Sequence, residues 1–344
     1  MSGTSKPAEN GITEADQYMR KRPTKTKWQS FKDGIYNPSK GRILGKTGKQ
    51  WGITGVFYFC FFTGLAILCA ICYKGLEASL PEHEPRWKLD RSLIGTSPGL
   101  GFRPISEHTE AGSIIAYNAA NTTQVNMWVG RLNKFLENYL HPSQSPTARP
   151  NQQPCSHDFH NLTNDKVCAV DIHNWGPCSP EEGFGFRNSS PCVFIKLNRI
   201  YDWIPEYYND SSDLPSDMPE SLVNHIKSLK GKELNTVWVS CNGSHGLDRE
   251  LLRDSIEYLP RGPQGFPGYY YPYTNTKGYL SPLVAVHFRR PAVNQLIGVE
   301  CRAWAKNIKY DKKEKLGMVA FNLQIDDRPK PELNSTEKTS EQRQ

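Results

Sequence analysis

KQWGITGVFYFCFFTGLAILCAICYK, residues 49 to 74, decides how this chain is organised, because the 24 residues between its two lysines include no Asp, Glu, Lys, Arg or His. At about 1.5 Å of rise per residue, a helix of this length reaches about 36 Å, enough to cross a hydrocarbon core of about 30 Å with some tilt. No second stretch of the sequence could do so. The segment starts fifty residues into the chain and is too long for the apolar core of a cleaved leader, so it is expected to stay as a signal anchor.

Charge sets the expected direction of crossing. Lys40, Arg42, Lys46 and Lys49 crowd the upstream edge, whereas Lys74 downstream is opposed by Glu77, Glu82 and Glu84. The side richer in Lys and Arg stays in the cytosol, so the N-terminus is expected inside. Residues 1 to 50 hold 11 Lys and Arg against 4 Asp and Glu, which leaves 31 of each sign beyond them and places the whole net charge of +7 on the arm. That excess reads as a topology signal and not as a nucleic-acid surface, since no basic groove with interleaved aromatics accompanies it.

Two further patterns agree. The Asn-x-Ser/Thr acceptors start at Asn121, Asn161, Asn188, Asn209, Asn242 and Asn334, all beyond the apolar segment, and the upstream lookalike Asn37 is spoiled by Pro38. Cys155, Cys168, Cys178, Cys192, Cys241 and Cys301 form an even outer set, as expected in an oxidising compartment, while Cys60, Cys69 and Cys72 sit in the apolar segment and read as small packing residues.

These observations divide the chain into a cytosolic arm (1 to 49), a signal-anchor helix (50 to 73), a proline-rich outer stalk (74 to 112), a folded glycosylated domain (113 to 330) and a tail (331 to 344). Within the domain, Val125, Trp128, Val129, Leu132, Phe135, Leu136 and Tyr139 recur at steps of three and four and predict one long core-facing helix. Farther on the period becomes two: Val237, Val239 and Cys241 share a strand face, as do Ile297, Val299, Cys301 and Ala303, and Val319, Phe321, Leu323 and Ile325. The expected fold class is therefore a single transmembrane helix plus a mainly-β, immunoglobulin-like antiparallel sandwich with at least one long helix. Cys241 and Cys301 both fall on apolar strand faces, which pairs them. Six cysteines allow fifteen pairings, and Cys155 with Cys168 and Cys178 with Cys192 are the local choices. No Trp lies between Cys241 and Cys301, so the immunoglobulin hallmark is missing.

Catalytic and cofactor signals are weak. His157 and His160 could share a metal, but Cys155 beside them is better used in a disulfide. Ser244 next to His245 lacks a strand-elbow-helix context and completes the Asn242 acceptor. There is no Asp-x-Asp pair for a nucleotide-sugar metal, Gly99 and Gly101 lack a third glycine, and GPQGFPG from Gly262 is too short to wind a triple helix. No cofactor is expected.

Particular strings then become telling. GRILGKTGKQWG (residues 41 to 52) leads into Phe57, Tyr58, Phe61 and Phe62, followed by SPGLGFRP (97 to 104), six outer cysteines and GYYYPYTNTKGYLSPLVAVHF (268 to 288). In this order they resemble the β subunit of the Na+/K+-transporting ATPase, over nearly the whole chain from about residue 31 to 325. The resemblance implies a single-span type II plasma-membrane glycoprotein without ATP chemistry of its own. Its partner would be the catalytic α subunit of a P-type cation pump, which it helps to fold, deliver and tune in cation occlusion. The implied disulfides are Cys155 to Cys168, Cys178 to Cys192 and Cys241 to Cys301. The family's two Phe-Tyr pairs, whose rings would contact the pump helix and not merely face lipid, are met by Phe57 with Tyr58, whereas Phe61 with Phe62 lacks the second hydroxyl. Tyr269, Tyr270, Tyr271 and Tyr273 would either meet the pump's outer loop or cap the sandwich. A β subunit of an H+/K+ pump, a cell-adhesion glycoprotein with a partner on the opposing cell, and a lumenal enzyme are the competing expectations.

Overall fold

The structure is a computed structural model that describes residues 28, 31, 35–37, 41–107, 113–140, 151–158, 166–210, 212–252 and 255–327. It divides into two compact units, one ending at Leu80 and the other starting at Pro81.

In the first unit, helix α1 spans Gly48–Ser79, 32 residues that rise about 48 Å. It is longer at both ends than the apolar run, because Gly75 to Ser79 holds nothing that breaks a helix and Pro81 stops it. Its entrance is built by GRILGKTGKQWG. Arg42–Ile43 and Lys46–Thr47 pair as a small antiparallel hairpin whose two turn residues, Leu44 and Gly45, both have positive φ. The Trp51 indole N–H donates to the Ile43 carbonyl at 2.8 Å, and the Thr47 N–H donates to Gln50 Oε1 at 3.0 Å. The hairpin therefore caps the first turn. No side chain of α1 is buried, and an apolar helix in that state needs lipid or another helix around it.

The second unit is a sandwich of two sheets. One contains β1 (Leu100–Arg103), β3 (Cys192–Leu197), β5 (Ile256–Leu259) and β7 (Leu283–Phe288), in the order β5-β7-β3-β1, all antiparallel. The other contains β2 (Ile114–Asn118), β4 (Thr236–Gly243), β6 (Gly265–Pro267), β8 (Leu296–Trp304) and β9 (Met318–Asp326), in the order β6-β4-β8-β9-β2. The β9 to β2 pair is parallel, so the sheet is mixed and not purely antiparallel. The three strand faces recognised by their period of two are the ones that meet the facing sheet: Phe321 stacks on Phe102 at 4.8 Å and meets Phe288 edge-on at 6.2 Å. β1 lies inside the stretch expected to be a stalk. Its Leu100 and Phe102 are buried because β3 supplies the missing strand partner.

Both sheets are also covered over part of their outer faces. Cys192 and Phe194 point away from the sandwich, towards a layer in which Trp175 stacks on Phe194 at 6.0 Å and Phe184 meets it edge-on at 5.9 Å. Behind the five-stranded sheet, the directly opposed Trp238 and Trp304 join Leu222 and Ile226 of α3 (Glu220–Ser228) in a second small core. The long helix α2 is Thr122–Leu140, and all seven stripe positions face inward, Phe135 half-buried. Asn121 Oδ1 accepts from the N–H groups of Thr123 and Gln124 at 3.0 and 3.3 Å and so starts the helix. Trp128 and Tyr139 then tie it down by donating to the carbonyls of Ala116 and Ser281.

Disulfides join Cys155 to Cys168, Cys178 to Cys192 and Cys241 to Cys301. Cys241 and Cys301 sit directly opposite each other on adjacent strands, β4 and β8. The bridge therefore staples neighbours within one sheet, unlike the inter-sheet bridge of an immunoglobulin domain.

Candidate functional site

Two aromatic groups in the chain were expected to meet a partner. In α1, Phe57 stacks on Phe61 at 6.2 Å and Tyr58 stacks on Phe62 at 6.0 Å. The two stacks touch edge-on, Phe57 to Tyr58 and Phe61 to Phe62, both at 5.4 Å. This follows from steps of four on a helix, which turn by about 40° each and place all four rings on an arc of about 140°. Tyr58 and Phe62 also border a shallow groove lined by Phe59, Thr63, Ala66, Ile67 and Ala70. The small side chains among these leave room for another helix, and the Tyr58 hydroxyl carries a hydrogen-bonding demand that lipid tails do not meet. Gly52, Gly55 and Gly64 do not form one close-approach face: Gly64 lies about 120° from Gly52 and about 180° from Gly55 on the helical wheel.

The tyrosine run of the outer domain divides by direction. Tyr269 packs at 4.6 Å from Tyr270 and edge-on at 5.2 Å from His157. The Tyr270 hydroxyl donates to the Ala169 carbonyl at 3.1 Å, next to Cys168, and Tyr271 meets Trp203 edge-on at 5.6 Å. Burial pushes the Tyr270 and Tyr271 phenols well above their ordinary range. Tyr269 and Tyr270 thus hold the Cys155 to Cys168 segment onto the domain, while Tyr271 packs on Trp203. Tyr273 instead joins a ladder of cations and rings near the surface. Its ring is 4.9 Å from Tyr279 and 6.3 Å from Tyr201, with the Arg199 guanidinium 5.4 Å from Tyr273 and 5.3 Å from Tyr279, and the Lys88 ammonium 4.6 Å from Tyr201. Its hydroxyl donates to Asn275 Oδ1, whose amide in turn donates to the His83 carbonyl. All four tyrosines are half-buried, and Tyr273 is the one flanked by the exposed Arg199 and Asn275. The signal that separates it is the following TNTKGY, where polar residues replace the aromatic run.

A family model described as the sodium / potassium ATPase beta chain matches residues 21 to 321. The chain belongs to that family. It is 43% identical to the sodium/potassium-transporting ATPase subunit beta-2 of Drosophila melanogaster, over 92% of this chain and 98% of that protein. Identity to subunit beta-1 of the same organism is also 43%, over 88% of this chain and 95% of that one. The human subunit beta-2 is 28% identical over 86% of this chain and 94% of its own length.

The remaining candidates of this beta chain take the following places. Asn121, Asn188, Asn209 and Asn242 all carry exposed side chains, Asn242 on the outward face of β4 beside the inward Cys241. Asn161, Asn334 and His160 lie outside the described residues. His157 is packed against Tyr269, and burial lowers its pKa below the ordinary imidazole value. Among the described residues no group of three or more His, Cys, Asp or Glu is placed to hold a metal. His245 donates its backbone N–H to Asp248 Oδ2 at 3.0 Å, with its ring nitrogen 3.2 Å from the same oxygen, and Asp248 Oδ1 accepts from the Gly298 N–H at 3.1 Å. That carboxylate anchors the turn into α4 (Gly246–Leu252) to β8 and leaves Ser244 to the Asn242 acceptor.

Proposed function

We propose that this beta chain is the non-catalytic partner of the α subunit of a Na+/K+ pump, and that it assists the folding, plasma-membrane delivery and K+-linked occlusion of that subunit. The observation that carries this reading is α1, an apolar helix with no buried side chain that presents four interlocked rings on one arc, in a chain of this family. The basic upstream flank supports an N-terminus in the cytosol. The exposed sequon asparagines and the disulfides support an outer domain that matures in the secretory pathway. Partner contact runs through the α1 rings and, outside, through the Tyr273 ladder.

Replacing Phe57, Tyr58, Phe61 and Phe62 together by leucine keeps the helix apolar and long enough to span, so insertion and glycosylation proceed. An aromatic contact is worth about 0.5 to 1.5 kcal/mol beyond its area, so losing two such contacts from these rings to the pump subunit weakens the complex by roughly tenfold. The check is the amount of pump subunit that copurifies with the variant in mild detergent. Recovery equal to that of the unaltered chain would remove the helix face from the interface.

A further inference from the structure

Leu93 and Ile94 are the most exposed large apolar residues of the described domain, at 107% and 84% relative exposure. They occupy the two central positions of a tight turn: the Gly95 N–H donates to the Ser92 carbonyl at 3.4 Å, the Ile94 N–H donates to Ser92 Oγ at 3.2 Å, and Gly95 takes φ +81°. Such positions favour Gly, Asn, Asp and Pro, and two bare aliphatic side chains there break the usual rule. The turn is built and held. Just before it, Leu89 accepts a left-handed backbone, φ +49°, and packs its side chain on the main core. Lys88 bonds Glu84 at 2.7 Å, and Ser97 Oγ accepts from the Lys309 N–H at 2.9 Å. Trp87, also exposed, lies beside the Arg86 guanidinium at 5.7 Å.

We propose that the Leu93-Ile94 turn is a membrane-contact tip that inserts into the outer leaflet of the bilayer, with Trp87 at the headgroup level. The proposal rests on reading α1 as a membrane span. Leu93 follows the end of that helix by only 14 residues, so the tether keeps the turn at a high effective concentration near lipid. Two side chains are too few for a protein interface, which buries about 1,200 to 2,000 Å² in a stable complex. Nearby charges balance, Arg86, Lys88 and Arg91 against Glu82, Glu84 and Asp90, which suits zwitterionic headgroups. Trp is the residue type that settles at the boundary between headgroups and tails.

The test places a benzophenone amino acid at position 93 of the full-length chain in the membranes of cells that also make the pump subunit. Two controls carry the same probe: Phe59 on α1, 74% exposed, and Leu247 on α4, 67% exposed. After irradiation, position 93 is expected to give phospholipid adducts at about ten times the level seen at position 247 and comparable to position 59. Lipid adducts no higher than at 247, or a main product linked to the pump subunit or to a second copy of this chain, would overturn the proposal. Absence of adducts at position 59 would instead overturn the span on which it rests.

Discussion

Replacing Cys241 and Cys301 together by alanine is expected to remove about 4 kcal/mol of folding stability, by the chain-entropy argument for a loop of this length. The bridge spans 60 residues, the longest of the three disulfide loops, and is placed where β4 and β8 form the centre of the five-stranded sheet. Both cysteines are nearly or wholly buried, at 8% and 0% exposure, so serines in their place would add the cost of hydroxyls facing an apolar core. Against a total of about 5 to 15 kcal/mol for a domain, such a loss removes roughly a quarter to four fifths of the folding margin. Losing Cys155 with Cys168, which closes 13 residues and lies at the edge of the tyrosine layer, is expected to cost nearer 3 kcal/mol. Protease resistance of the full-length chain in detergent, measured across a denaturant series, gives the order of the two effects. Equal resistance in the Cys241/Cys301 double variant and the unaltered chain would show that the sheet does not rely on the staple.

Gly185→Ala is expected to cost about 3 kcal/mol or more, a large effect for one methyl group. Gly185 has φ +74°, and a Cβ built on it would run into the carbonyl oxygen of Ser190. That close approach exists because the Ser190 N–H donates to the Gly185 carbonyl at 3.1 Å and folds the segment back on itself. The turn drives the two flanking rings to opposite tasks, and both are fully buried. Phe184 meets Phe194 on the outer face of the four-stranded sheet, while Phe186 lies 5.0 Å from Tyr117 and 6.4 Å from Trp128 of α2. Shifting the backbone would uncouple α2 from the sandwich. The thermal midpoint of the full-length chain and its acquisition of mature sugars report the loss. A variant that melts and matures like the unaltered chain would contradict this account of the turn.

Much of this architecture was legible because it rests on periodicity. The charge-free segment, the α2 stripe and the inward faces of β4, β8 and β9 each repeat often enough to name their element and its buried side. What escaped notice depends on partners far along the chain. Leu100–Arg103 is four residues between Gly99 and Pro104 and becomes a strand only because β3, ninety residues later, pairs with it. Ile114–Asn118 likewise lies parallel to a strand two hundred residues away. The outward positions of β4 and β8 looked unremarkable, although Trp238 and Trp304 there are buried by α3. Within the candidate interface, the α1 rings were grouped by the family resemblance, and their steps of four explain why they share an arc, whereas the tyrosine run could not be divided. Whether a phenol points inward depends on a carbonyl such as Ala169, 101 residues away from Tyr270. Leu93 and Ile94 were passed over because isolated apolar residues in a proline-rich stretch carry no period.

The central claim is that this beta chain works as a pump subunit, and chemical crosslinking in native membranes followed by mass spectrometry of its partners tests it most directly. One dominant partner is expected, a large polytopic P-type ATPase subunit, joined both through α1 and through residues near Tyr273. Recovery of the chain without any such subunit, or joined chiefly to a surface protein of an adjoining cell, would contradict it.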